Sequence, residues 1–99
     1  MSAPAARAQL RLRLYVADDG PNSTVAIANL EAALAGAAPG TVELEIIDVV
    51  RDPERGLRDG ILVTPMLVKA APGPEQRILG NLKDRARLLA ILELPVAAP

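Results

Sequence analysis

Hydrophobic and polar residues alternate without a break in Leu10-Arg11-Leu12-Arg13-Leu14-Tyr15-Val16, the period-2 pattern of a half-buried strand. Leu10, Leu12, Leu14 and Val16 share one face, and Arg11, Arg13 and Tyr15 share the other. Ala17-Asp18-Asp19-Gly20-Pro21 is a turn cluster, and Asn22 or Ser23 can cap the free N–H groups of a helix starting there. The helix is predicted to run to about Leu34. Its apolar stripe is Ile27, Leu30 and Leu34 with Ala26 and Ala33 beside it, while Asn29 and Glu31 face water, and Gly36 and Pro39-Gly40 end it. Alternation returns in Val42-Glu43-Leu44-Glu45-Ile46-Ile47-Asp48-Val49-Val50. Strand, helix, strand is a βαβ unit, right-handed by the usual chirality. Parallel pairing would place Arg11 and Arg13 beside Glu43 and Glu45, at roughly 0.2–1 kcal/mol per pair.

The second half is less regular. Asp52-Pro53-Glu54 opens like a helix, with Asp52 at the cap and Pro53 at the first helical position, but Gly56 and Gly60 weaken it. The most hydrophobic run, Ile61-Leu62-Val63-Thr64-Pro65-Met66-Leu67-Val68, reads as a buried strand interrupted by a proline. Proline donates no hydrogen bond to a sheet, so the strand must bend, start late or turn cis at Thr64-Pro65. Ala71-Pro72-Gly73-Pro74 is a turn, and Gln76-Arg77-Ile78-Leu79-Gly80 a short strand pairing back as a hairpin. Asn81 or Asp84 can cap a last helix through Leu94, a Leu-rich stretch that would also tolerate a buried strand.

These elements divide the chain into a tail at 1–9, one domain at 10–94 and a tail at 95–99. Tyr15 is the only aromatic residue among 99, so the core must be built from Leu, Ile, Val and Ala. A net charge of −1 argues against nucleic acid or an anionic membrane as partner. The start lacks the apolar core of a secretory signal and no run is long enough to span a bilayer, so a cytoplasmic location is expected.

Cysteine and histidine are both absent. That excludes a dithiol redox site and thiolate metal ligation, and removes the commonest general base. The hydroxyls of Ser23, Thr24 and Thr64 lack an imidazole to activate them, and nothing in the spacing pairs Lys69 or Lys83 with one. Asp18 and Asp19 would repel a phosphate at the following helix start, and adjacent carboxylates without further oxygen ligands rarely hold Mg²⁺. No catalytic, cofactor or metal site is therefore expected. Arg77, Lys83, Arg85 and Arg87 read as a solvated basic face.

The element order is that of a thioredoxin-like α/β fold with its redox pair deleted. Leu14-Tyr15-Val16-Ala17, Pro21-Asn22-Ser23, Ile47-Asp48-Val49, Asp52-Pro53, Ile61-Leu62-Val63-Thr64-Pro65, Leu67-Val68-Lys69, Pro72-Gly73-Pro74 and Gly80-Asn81-Leu82-Lys83-Asp84-Arg85 resemble the KaiB family in order and spacing. The likeness covers about residues 10–94. It implies a non-enzymatic clock component that binds a KaiC-type ATPase ring, with KaiA or a KaiB-like sensor histidine kinase as further partners, and that self-associates as a dimer or tetramer. It also implies a constant half at 10–50 and a half at 51–94 that packs either thioredoxin-like or in a second, ground-state arrangement. The partner surface carried over by the resemblance is Asn22, Ser23, Asp48, Pro53, Glu54, Leu57 and Arg58, and the switch positions are Thr64, Pro65, Gly80, Asn81 and Asp84. Asn81 stands where the family commonly has an acidic residue, Lys83 where it has a small one, and Pro95-Val96-Ala97-Ala98-Pro99 replaces an acidic tail. These departures leave room for a KaiC relative with stress or signalling output. The competing expectations are a degenerate thioredoxin-like enzyme, opposed by the missing cysteine and histidine, and a stand-alone sensor domain partnering a histidine kinase.

Overall fold

A computed structural model describes residues 10–17, 20–37 and 40–93 of the chain. The tails, the Asp18-Asp19 pair, Pro39 and Leu94 lie outside the described residues. The elements are β1 (Leu10–Val16), α1 (Pro21–Leu34), β2 (Val42–Asp48), α2 (Pro53–Arg58), β3 (Met66–Ala71), β4 (Gln76–Leu79) and α3 (Arg85–Leu92). The four strands form one sheet in the order β2-β1-β3-β4. β1 runs parallel to β2 and antiparallel to β3, which is antiparallel to β4. The βαβ unit and the hairpin stand as the hydrophobic pattern predicts, and the Leu-rich end is a helix.

The alternation of β1 builds two cores. Leu10, Leu12, Leu14 and Val16 pack with Ala26, Leu30 and Ala33 of α1, Leu67, Ile78, Leu82, and Leu88 and Leu92 of α3. On the opposite face Tyr15 packs with Ile47, Ile61 and Val68, with Val49 and Met66 at the margin. α2 closes over this second face. A β-carbon added at Gly56 would lie 3.0 Å from Val49 Cγ1, so the glycine that weakens α2 locally is what lets it approach the sheet.

Several local expectations are corrected. Tyr15 shares its face with Arg11 and Arg13 as the alternation predicts, but it is fully buried, because α2 covers its end of that face. The N-cap of α1 is Gly20, with no side-chain cap, so neither Asn22 nor Ser23 caps the helix. Ser23 is buried and its Oγ accepts from the Ala17 N–H at 3.3 Å. Asn29 does not face water: it is half-buried and its Nδ2 donates to the Asn81 carbonyl at 2.9 Å, tying α1 to the β4–α3 connection. β2 stops at Asp48, and Val49 and Val50 belong to a turn.

Residues 61–65 are not strand, and β3 begins only at Met66, after a cis Thr64-Pro65 bond. Ile61 is buried, but Leu62 is 88% exposed and Val63 52% exposed. Asp84, not Asn81, caps α3, accepting from the Arg87 N–H at 3.1 Å. Asn81 instead accepts from the Lys83 N–H through Oδ1 at 3.2 Å.

Candidate functional site

α2 and its flanks gather most of the residues singled out for binding. Asp52 caps the helix by accepting from the Arg55 N–H at 3.2 Å, and Pro53 occupies its first turn. Glu54 and Arg55 sit at favourable ends of the helix dipole. Asp59 follows α2, and Gly60, at φ +71°, turns the chain away in a conformation that a side chain would strain. The result is a short, firmly ended helix with one face against Val49 and the other outward.

On the outward face Leu57 is 76% exposed, and Pro53, Glu54 and Arg58 are exposed beside it. Asp52, Glu54, Arg55, Leu57 and Arg58 line an open depression of about 480 Å³. Val50 before α2, and Leu62 and Val63 after it, are also exposed. Large exposed apolar side chains on consecutive segments are what a protein-binding surface requires, because their burial against a partner supplies the driving force. Val50, Leu62 and Val63 escape a reading of sequence alone, since hydrophobicity assigned them to strands. The signal that could have exposed them was Pro65, which delays β3 until Met66 and leaves the preceding residues outside the sheet.

The other expected positions divide. Asp48 lies at the mouth of the same region but is occupied by its own turn, accepting from the Val50 N–H at 2.9 Å and approaching Arg51 Nε at 3.6 Å. Asn22 is exposed on the first turn of α1, whereas Ser23 is buried and has no surface to offer a partner. Thr64 and Pro65 precede β3, and Gly80, Asn81 and Asp84 lie between β4 and α3. Leu82, between them, is buried with φ 65°, a left-handed conformation that costs a leucine roughly 1–2 kcal/mol.

A polar network behind α2 holds its rear face. Arg55 donates to both carboxylate oxygens of Glu45, at 2.8 and 2.7 Å, and through Nε to Asp59 Oδ2 at 3.2 Å. Arg13 faces Glu45 in the strand register, yet its Nε donates to the Tyr15 hydroxyl at 2.8 Å. Of the two cross-strand pairs expected, only Arg11–Glu43 forms, at 3.4 Å, because Arg55 from α2 takes Glu45 with a bidentate geometry. The Tyr15 hydroxyl donates in turn to Asp59 Oδ2 at 2.5 Å. That bond, with Arg58 nearby, holds the Asp59 carboxyl below its ordinary range. Burial and the same bond push the Tyr15 phenol up, and the hydrogen bonds from Arg55 lower Glu45 and raise Arg55. Arg77, expected in solvent, donates from β4 to the Asp59 carbonyl at 2.9 Å and so clasps the end of α2.

The arrangement offers contact surface. Among the described residues no group of carboxylates is placed to hold a metal ion. No helix there is long and apolar enough to cross a membrane. The KaiB domain model matches residues 13–94. The chain belongs to the KaiB family.

Two relatives named circadian clock oscillator protein KaiB illustrate the likeness. That of Prochlorococcus marinus (strain MIT 9515) is 42% identical over 90 residues, 91% of this chain and 83% of that protein. That of Acaryochloris marina (strain MBIC 11017) is 42% identical over 83 residues, 84% of this chain and 80% of that protein. Among solved structures, the N-terminal domain of Synechococcus elongatus SasA superposes with TM-score 0.68 at 29% identity, covering 93% of this chain and 90% of that one. Chloroplastic thioredoxin z superposes with TM-score 0.73 at 23% identity, covering 93% and 82% of the two chains, which shows the shared fold alone. This KaiB-family chain has the thioredoxin-like fold without its cysteines, and dithiol chemistry is closed to it.

Proposed function

We propose that this KaiB-family chain is a cytoplasmic, non-enzymatic clock or signalling regulator that binds a KaiC-type ATPase ring through α2 and modulates its phosphorylation and ATPase cycle. The observation carrying this reading is Leu57, 76% exposed on a helix whose opposite face is fixed by Arg55 and Gly56. Burying such a leucine against a partner contributes about 1.5–3 kcal/mol, and Arg58 beside it adds charge selectivity. Asn22, Asp48, Pro53 and Glu54 complete the surface. Ser23 acts from beneath by bonding the β1–α1 turn. A KaiB-like sensor histidine kinase and KaiA are the further partners the family resemblance suggests.

The same reading treats residues 10–94 as one domain with a constant half at 10–50 and a half at 51–94 that can repack and self-associate as a dimer or tetramer. Thr64, Pro65, Gly80, Asn81 and Asp84 mark its joints. The short elements of that half and the strained Leu82 support the division.

Calorimetric titration of a KaiC ring with Leu57→Ala/Arg58→Glu tests the surface. Binding at least about tenfold weaker than wild type is expected, equal to about 1.4 kcal/mol, with an unchanged circular dichroism spectrum. Unchanged affinity removes α2 from the interface, and a wild-type chain that does not bind the ring removes the partner.

A further inference from the structure

Lys69 is the one charged side chain among the described residues that lies wholly inside a core. It is paired with Leu12 across the β1–β3 ladder, so it shares the face covered by α1 and α3, and it is 1% exposed. Its Nζ donates to Glu93 Oε2 at 2.9 Å. Glu93 is the C-cap of α3, left-handed at φ 50°, with its own N–H bonded to the Leu89 carbonyl and its side chain 65% exposed. One end of this ion pair is therefore in the core and the other at the surface.

That asymmetry has a physical consequence. An ammonium inside apolar surroundings is costly unless a counter-charge meets it, and the carboxylate can reach it only while the end of α3 rests on the sheet. The carboxyl end of a helix dipole adds to the attraction. With the carboxylate neutralised, the ammonium keeps its desolvation cost and recovers hydration only if the helix end lifts. We propose that Lys69 and Glu93 form a charge latch on α3, so that loss of the Glu93 charge releases the helix end while β1, β2 and α1 stay folded. The free energy holding the latch resides in the buried lysine, although the group that operates it is the accessible glutamate.

Hydrogen exchange of the whole chain tests the latch. In Glu93→Gln the amides of residues 88–92 are expected to exchange about tenfold faster, with those of β1 unchanged. Lys69→Met replaces the ammonium with an apolar chain of similar length and is expected to leave α3 at least as protected as wild type. The double variant Lys69→Met/Glu93→Gln should match Lys69→Met. No acceleration in Glu93→Gln overturns the proposal. Equal acceleration in the Lys69→Met background also overturns it, since Glu93 would then act through the helix terminus and not through the lysine.

Discussion

The half from β1 to β2 and the half from α2 to α3 are held by different means. In the first, seven-residue strands pair in continuous register from Leu10↔Val42 to Val16↔Asp48 across a fourteen-residue helix. In the second, helices of six and eight residues flank strands of six and four. Single long-range links supplement its apolar contacts: Asn29 to the Asn81 carbonyl, Arg77 to the Asp59 carbonyl, and Lys69 to Glu93. Among the described residues, the positive-φ non-glycine ones, Leu82 and Glu93, also fall there. The second half also pairs in ladders, β3 with β1 and with β4, but these are shorter than the β1–β2 ladder and the first shifts register between Arg11 and Leu12, so each supplementary link weighs more there. The same half carries Leu57, Leu62 and Val63, exposed apolar residues of the proposed partner surface.

The largest effect that would break this comparison comes from matched core truncations. Leu30 in α1 and Leu88 in α3 are both buried in the same cluster, and replacing either by alanine is expected to cost about 2–5 kcal/mol. Leu30→Ala should lower the protection of every core amide in hydrogen exchange. Leu88→Ala should open α3 and the β4–α3 connection first, with β1 and β2 less affected. Identical exchange patterns for the two variants would show that the halves are one cooperative unit.

A middle-sized effect is expected at the seam between α2 and the sheet. Tyr15→Phe removes the hydroxyl that bonds Asp59 and Arg13, and is expected to cost about 1–2 kcal/mol at neutral pH. The sign with pH follows from the two shifts. Asp59 is depressed, so its stabilisation is present above the unfolded value near ~4 and is lost as pH falls through the lower folded value. Tyr15 is raised, so its stabilisation is complete below ~10 and is lost as pH rises through the folded value. Urea unfolding across pH should show both limbs in wild type, a shallower acid limb in Tyr15→Phe, and no phenol contribution to its alkaline limb. Superimposable profiles would remove the Tyr15–Asp59 bond from the seam.

The smallest effect belongs to the exposed cross-strand pair. Arg11→Ala breaks the 3.4 Å contact with Glu43, both side chains being more than half exposed. It should cost less than about 0.5 kcal/mol, because solvent screens such pairs. A larger loss in urea titration would mean that the first half also depends on single polar links.

Alternation of residue type in residues 10–16 and 42–48 was enough to read the βαβ unit, although burial follows it only in part: Ile46 is 43% exposed, while Ile47 on the other face is buried. Turn chemistry placed the hairpin, and Asp52 was legible as a helix cap because cap geometry is local, whereas for the last helix Asn81 and Asp84 were both candidates and the structure selects Asp84. Pro53, Glu54, Leu57 and Arg58 of the candidate site follow from the family resemblance and not from residue patterning, which places Leu62 and Val63 in a strand. Hydrophobicity reports what would gain from burial, but another element must arrive to bury it. Among the described residues no such element covers Leu62, whereas α2 does cover Tyr15.

The sequence by itself determined the order of elements, the absence of thiol and imidazole chemistry, and the family, because these depend on residue identity and local periodicity. Only the tertiary structure decided which side of β1 became a second core, that Glu45 is held by Arg55 and not Arg13, and that Lys69 lies buried against the end of α3. Those outcomes depend on side chains far apart in the chain reaching one place. Such meetings are set by packing of whole elements, and no local pattern encodes them.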